Sequence, residues 1–216
     1  MRYALERALQ QHQIVRAKDL MARGMSRDHI TAAVAAGLIV KPYADTAAGA
    51  IHGLYATPEA MEHPSVDEAI AMVLTNGVFG RQYAAMRHGL ATCLPPRHEI
   101  IVPTSIQGVP KRVDYRLYRS RKPESLSVGV ETVDVVAGVE IRFTNRARTT
   151  IDLIRAKRTN SDDWRHGIEA LNTYLEEGGA VADLVEVAGH FEEWLPDTLD
   201  DLVAGIMDSN ARGFGR

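Results

Sequence analysis

The sequence predicts an α+β protein: an N-terminal winged helix-turn-helix followed by a mixed α+β domain that ends in a helical segment. Three observations predict it. Apolar residues recur at helical spacing through the first 36 residues, and a Gly24 stop there is followed at once by a Ser26 start. Between residues 99 and 143 the apolar period shortens to two, the spacing of strands. From Arg146 onward the helical period returns.

In order, Arg2–Gln11 forms a first helix on the apolar stripe Ala4, Leu5, Ala8 and Leu9. A new segment begins near Val15, and Ala17–Ala22 is a short helix ended by Gly24 in the left-handed manner. Ser26 caps a third helix that runs to Ala36 and stops at Gly37, with Met25 and Ile30 at the spacing of a hydrophobic staple. Ile30, Ala33 and Val34 face its core, while Arg27, Thr31, Ala35 and part of His29 face away. Leu38–Lys41 and Ile51–Ala56 read as two strands around a flexible tip at 44–50, and Pro58–Pro64 as a linker. Helices then follow at Val66–Thr75 and Arg81–His88, with a brief extended piece at Val78–Phe79 between them. Glu99–Pro103, Arg112–Tyr118, Glu131–Val136 and Val139–Phe143 read as strands, the last two joined by a tight turn at Ala137-Gly138. Ala147–Lys157, Trp164–Glu177, Val181–Ala188 and Leu195–Met207 close the chain as helices. The expected domains are 1–60, the winged helix-turn-helix; 61–210, the α+β domain with an acidic helical end; and 211–216, a disordered tail.

The net charge of −3 is unevenly spread. Residues 1–60 carry +2, residues 61–109 carry −1, residues 110–158 carry +6 and residues 159–216 carry −10. Such asymmetry points to a polyanion partner and a separate acidic face, or to basic strands and acidic helices pairing within the fold. A single cysteine, Cys93, excludes an intramolecular disulfide and a cysteine-rich zinc site. A charged start and the absence of any apolar run near 20 residues point to a cytoplasmic protein without a membrane partner.

The spacing of the first 60 residues suits double-stranded DNA. The N-terminal half of a recognition helix meets base edges, and Arg27 can make a bidentate contact to guanine, with His29 and Thr31 adding hydrogen bonds. Arg16, Lys18 and Arg23 are candidate backbone clamps, and Lys41 and His52 flank the wing, where phosphate contacts are common. Arg112, Arg116 and Arg146 of the basic block would extend the footprint. Alanines at 32, 33, 35 and 36 limit the helix to close approach or thymine-methyl contact, so a protein-interaction module stands as a second reading. Among enzymatic patterns, Asp114 or Asp134 with Glu140-Ile141-Arg142 imitates the acidic triplet of a magnesium-dependent nuclease, but with arginine in the lysine's place. His88 and His98, ten apart across a Pro-Pro turn, read as ordinary histidines, and Asp152 as the partner of a nearby arginine. No other catalytic signature is present; the sequence predicts no enzyme, no cofactor and no metal.

The order of four stretches resembles the AbiEi family, antitoxins of bacterial type IV toxin–antitoxin (abortive infection) systems. They are DLMARGMSRDHITAAVAAGLIVK through IHGLYATP, GVFGRQYAAMRHGL, PPRHEIIVP and IRFTNRARTTIDLI, which span most of residues 10–155. The resemblance implies a winged-helix head that represses its own promoter at inverted repeats. It also implies a C-terminal domain that neutralises a nucleotidyltransferase-like toxin without a stable complex. The chain departs from the family in its alanine-rich stretch before the wing, and in His52-Gly53-Leu54-Tyr55 where the family has Arg-Gly-x-Tyr.

Overall fold

A computed structural model describes residues 2–9, 12–44, 51–107, 115–156, 161–191 and 195–211. The chain is α+β and divides into two compact units, each built from three stretches of sequence. The first holds Met1–Gly77, Ser105–Val113 and Thr132–Arg142; the second holds Val78–Thr104, Asp114–Glu131 and Phe143–Arg216.

In the first unit the order is α1 (Arg2–Leu9), β1 (Ile14–Arg16), α2 (Ala17–Ala22), α3 (Arg27–Ala35), β2 (Leu54–Ala56), α4 (Pro58–Met61) and α5 (Val66–Thr75). Its core buries Leu5, Val15, Leu20, Met25, Ile30, Ala33 and Ile39, among them the predicted Leu5, Met25, Ile30 and Ala33. Gly24 adopts φ +89°, and Ser26 Oγ accepts the His29 N–H at 3.2 Å, so α3 starts and α2 stops where the local signals place them.

Three expectations in this region are corrected. Ile14–Arg16 is a strand, paired antiparallel with β2 in the register Ile14↔Ala56, Val15↔Tyr55 and Arg16↔Leu54. The expected strand at Leu38–Lys41 is reduced to one bridge, because only Val40 reaches the edge of β2 that β1 leaves open, and the second strand is reduced to Leu54–Ala56; the tip at 45–50 lies outside the described residues. The expected linker contains α4, whose Thr57 Oγ1 accepts the Ala60 N–H and whose Pro58 sits at the first helical position. The unit also extends beyond residue 60. Gln13 N donates to Ala137 O at 2.8 Å and His12 Nδ1 bonds Gly138 O at 2.7 Å, which ties the tip of a distant hairpin to β1.

A five-stranded mixed sheet has the order β5-β4-β3-β7-β6. Its strands are β3 (Val78–Phe79), β4 (His98–Pro103), β5 (Tyr115–Ser120), β6 (Val130–Val136) and β7 (Val139–Thr144). β3 runs antiparallel to β4 and parallel to β7, and β4 runs parallel to β5. β6 and β7 meet at Ala137-Gly138, both at positive φ (+54° and +77°), the geometry of a two-residue type I′ turn. The turn-bearing part of this hairpin, Thr132–Arg142, belongs to the first unit, and its open ends belong to the second.

The second unit packs α6 (Arg81–Arg87), α7 (Arg146–Arg155), α8 (Ser161–Glu176), α9 (Val181–Gly189) and α10 (Leu195–Ala211) around one core that includes Ile151, Leu153, Leu171, Leu184 and Leu199. A short 3₁₀ turn, Pro123–Leu126, follows β5. α7 is buried along its length, from Ala147 to Ile154. Helix α10 reaches Ala211, past the predicted end at Met207; residues 212–216 lie outside the described residues. No helix among the described residues is long and apolar enough to cross a membrane.

Candidate nucleic-acid interface

Helices α2 and α3 are joined by a four-residue turn, and both keep one face in the first unit's core through Leu20, Ile30 and Ala33. The opposite face of α3 is exposed at Arg27, Asp28, His29, Thr31, Ala32 and Ala35. Arg27, His29 and Thr31, predicted to read bases, therefore share the accessible N-terminal half of one helix. Lys18 and Arg23 are exposed on and just after α2. Lys41 and His52 are exposed as well, on either side of the tip outside the described residues. Sequence reasoning passed over Asp28 and Asp19, two exposed carboxylates that dilute the positive charge of this surface; their signal was plain in the sequence, one residue from Arg27 and Lys18.

Arg16 is placed differently from the expectation of a phosphate clamp. Its Nη2 donates to Val73 O at 2.6 Å and to Leu74 O, and its Nε to Val73 O at 3.0 Å. These are carbonyls of the last turn of α5, which lack helical partners and carry the negative end of the helix dipole. Arg16 is thus a cap on α5, and it fastens the β1–α2 junction to that helix.

The basic block is similarly spent. Arg142 Nη2 donates to Asn76 O and Gly77 O, each at 2.9 Å. Arg146, predicted to extend the footprint, pairs with Glu177 and donates to His88 O at 3.2 Å. Arg148 is 1% exposed, 3.0 Å from Asp152, and lies over the Phe191 ring at 3.9 Å. Asp152 is indeed the partner of arginines, taking Arg155 at 3.2 Å as well. Arg116 is exposed in the second unit, 3.8 Å from Glu99. Arg112 lies outside the described residues.

A second polar cluster was not anticipated. Asp163, fully buried, takes Arg81 Nη2 and Gln82 Nε2 (the latter at 2.5 Å). Buried Glu99 accepts Gln82 N at 2.8 Å and Tyr118 Oη at 2.6 Å. Arg81 holds φ +57° and stacks over Tyr118 at 4.2 Å. Burial alone would lower the Arg81 pKa, but the Asp163 charge and the Tyr118 hydroxyl reverse the sign and raise it. Burial and the bond to Glu99 push the Tyr118 hydroxyl well above its ordinary range. The cluster ties β4 and β5 to the starts of α6 and α8.

Of the nuclease-like triplet, Asp134 and Glu140 are exposed on opposite arms of the hairpin and Arg142 is engaged as above, while Asp114 lies outside the described residues. Among the described residues no three His, Cys, Asp or Glu side chains come together to hold a metal. His88 bonds Thr144 O at 2.7 Å, while His98 packs against Tyr83 at 4.5 Å.

No family model matches this chain, and no curated protein matches it. Among solved structures it is similar to the crystal structure of the RV2827C protein from Mycobacterium tuberculosis, with TM-score 0.44 and 13% sequence identity over 88% of this chain and 80% of that chain.

Proposed function

We propose that this chain is a sequence-specific DNA-binding regulator whose first unit carries a winged helix-turn-helix. The observation that carries the reading is the N-terminal half of α3, where Ser26 caps the helix and Arg27, His29 and Thr31 stand exposed on its outer face. The order α1, β1, α2, α3, β2 supports it, with β2 lying between β1 and Val40. Arg27 reads a guanine edge, His29 and Thr31 add base contacts, and Lys18, Arg23, Lys41 and His52 hold phosphates. Arg16 and Arg146 are withdrawn from this role by their protein partners. The resemblance to the AbiEi antitoxins extends the proposal: the DNA is the chain's own promoter, and the second unit serves antitoxin activity against a nucleotidyltransferase-like toxin. No catalytic step is assigned.

The test is binding of the full chain to its own upstream duplex and to a scrambled duplex, at low and physiological salt. A preference of about a hundredfold or more that survives at the higher salt supports the reading. Equal, salt-fragile affinity for both duplexes overturns it. That result would favour the protein-interaction module to which Asp19, Asp28 and the alanine-rich α3 are better suited.

A further inference from the structure

The turn of helix α3 sorts its exposed residues into rows. Ile30 and Ala33 are buried and mark the inner side. At 3.6 residues per turn, the row opposite them is Asp28, Ala32 and Ala35, and all three are exposed. Arg27 and Thr31 form the next row on one flank, and His29 lies on the other. A carboxylate and two methyl groups therefore stand at the centre of the outer face.

A carboxylate there is costly for a helix that faces DNA, because the phosphates of both strands repel it. Asp28 has no hydrogen-bond or ion-pair partner among the described residues, so no contact within the chain accounts for it. In the major groove only cytosine N4 and adenine N6 donate hydrogen bonds. Guanine and thymine present acceptors, and adenine sets its N7 acceptor beside the donor. Cytosine is the base that a lone carboxylate favours. Aspartate is short, so its oxygens reach a base edge only where the backbone comes close. Ala32 and Ala35, which end at Cβ, permit that approach along the same row, and their methyls suit the thymine methyl. They lie about 6 and 10.5 Å along the helix axis from Asp28, which is about two and three base pairs at 3.4 Å each.

We propose that Asp28 is a specificity-determining residue that accepts the N4 amino hydrogen of a cytosine, and that the bound duplex carries thymines about two and three base pairs from it. The proposal rests on the DNA-binding reading above and names the sequence class that this surface selects. Arg27, on the flank, supplies attraction to guanine. Asp28 supplies exclusion, since guanine or thymine in the cytosine's place sets an acceptor against the carboxylate.

The test is selection from a pool of randomised duplexes by the full chain, followed by affinity measurements on the enriched duplex. The unaltered chain is expected to enrich a motif with one fixed cytosine and thymines at those spacings. Asp28→Asn is expected to enrich the same motif with adenine, or with no preferred base, at the cytosine position, because asparagine pairs with adenine N6 and N7. On the cytosine duplex the variant should bind about tenfold more weakly. Deoxyuridine in place of both thymines removes only their methyls and should weaken the unaltered chain about fourfold per methyl. A variant that enriches the unaltered motif overturns the role of Asp28, whether it binds every duplex more tightly or only melts at a lower temperature. The carboxylate would then be a repelling charge or a partner of the helix dipole. A motif that lacks the cytosine overturns it as well, and equal affinity for the deoxyuridine duplex overturns the thymine half. Enrichment of no motif by the unaltered chain overturns the DNA-binding reading itself.

Discussion

At the scale of single residues, position on a helix separates two kinds of cation. Arg27 sits in the first turn of α3 and Lys18 on α2, both exposed. Arg27→Ala is expected to cost about 1–3 kcal/mol of affinity and to relax preference at one base position. Lys18→Ala should weaken all duplexes alike and reduce the salt slope by about 0.9. A salt titration against a panel of single-base operator variants separates the two, and a reversed pattern would exchange their roles. Residue type was legible from the sequence here, but partner was not. Arg16 and Arg23 look equivalent along the chain, yet Arg16 is turned onto α5 by a pairing 57 residues away. Cys93 makes a different prediction. It is 4% exposed and donates from Sγ to Gln82 O at 3.2 Å, and burial pushes its pKa from 9.0 up to about 11. A pKa raised in the folded state contributes stability that is complete below the unfolded value and is lost as pH rises through the folded one. Stability should therefore begin to fall above about pH 9, and the native thiol should resist alkylation at pH 8. Prompt labelling of the native protein at pH 8 would contradict this placement of Cys93.

At the scale of elements, what was legible is what is local. The Gly24 turn, the Ser26 cap and the Ala137-Gly138 hairpin each depend on residues within four positions, and each stands where the sequence puts it. β1 escaped because three residues contain no period to detect; it is a strand only because Leu54–Ala56 lies alongside. Helix–helix distance is equally invisible in one sequence. Gly167 in α8 lies against the backbone of α7, and a Cβ there would stand 3.0 Å from Ile154 N and Leu153 C. Backbone cannot rotate aside, so Gly167→Ala should force α8 away from α7 and destabilise by about 1–3 kcal/mol. Gly205 in α10 has nothing within 4 Å of its Cβ position, so Gly205→Ala should stabilise by about 0.5–1 kcal/mol through backbone entropy alone. Thermal melts of the two variants should therefore move in opposite directions, and a gain in Tm for Gly167→Ala would mean that the two helices are not in close contact.

At the scale of the whole molecule, the charge blocks misled in part. The sum of +6 over residues 110–158 suggests a polyanion surface, but Arg142, Arg146, Arg148 and Arg155 are all engaged with protein groups. Charge counts record composition, and only the fold decides which cations face solvent. The domain boundary was hidden for a related reason: a linear reading cuts a chain once, whereas six segments shared between two units require five crossings. Two of those crossings fall inside strands, between Glu131 and Thr132 in β6 and between Arg142 and Phe143 in β7. A strand cannot keep half of its ladder when the other half melts without exposing unpaired backbone groups. Unfolding should consequently be one cooperative transition despite the two units. Trp164, in α8, belongs to the second unit, whereas far-ultraviolet circular dichroism reports the helices of both. In a urea titration the fluorescence and dichroism curves should superimpose with one midpoint. A dichroism change that precedes the fluorescence change would mean that the first unit melts alone. The hairpin would then be a joint that yields, and duplex affinity should disappear at the earlier midpoint while the second unit remains folded.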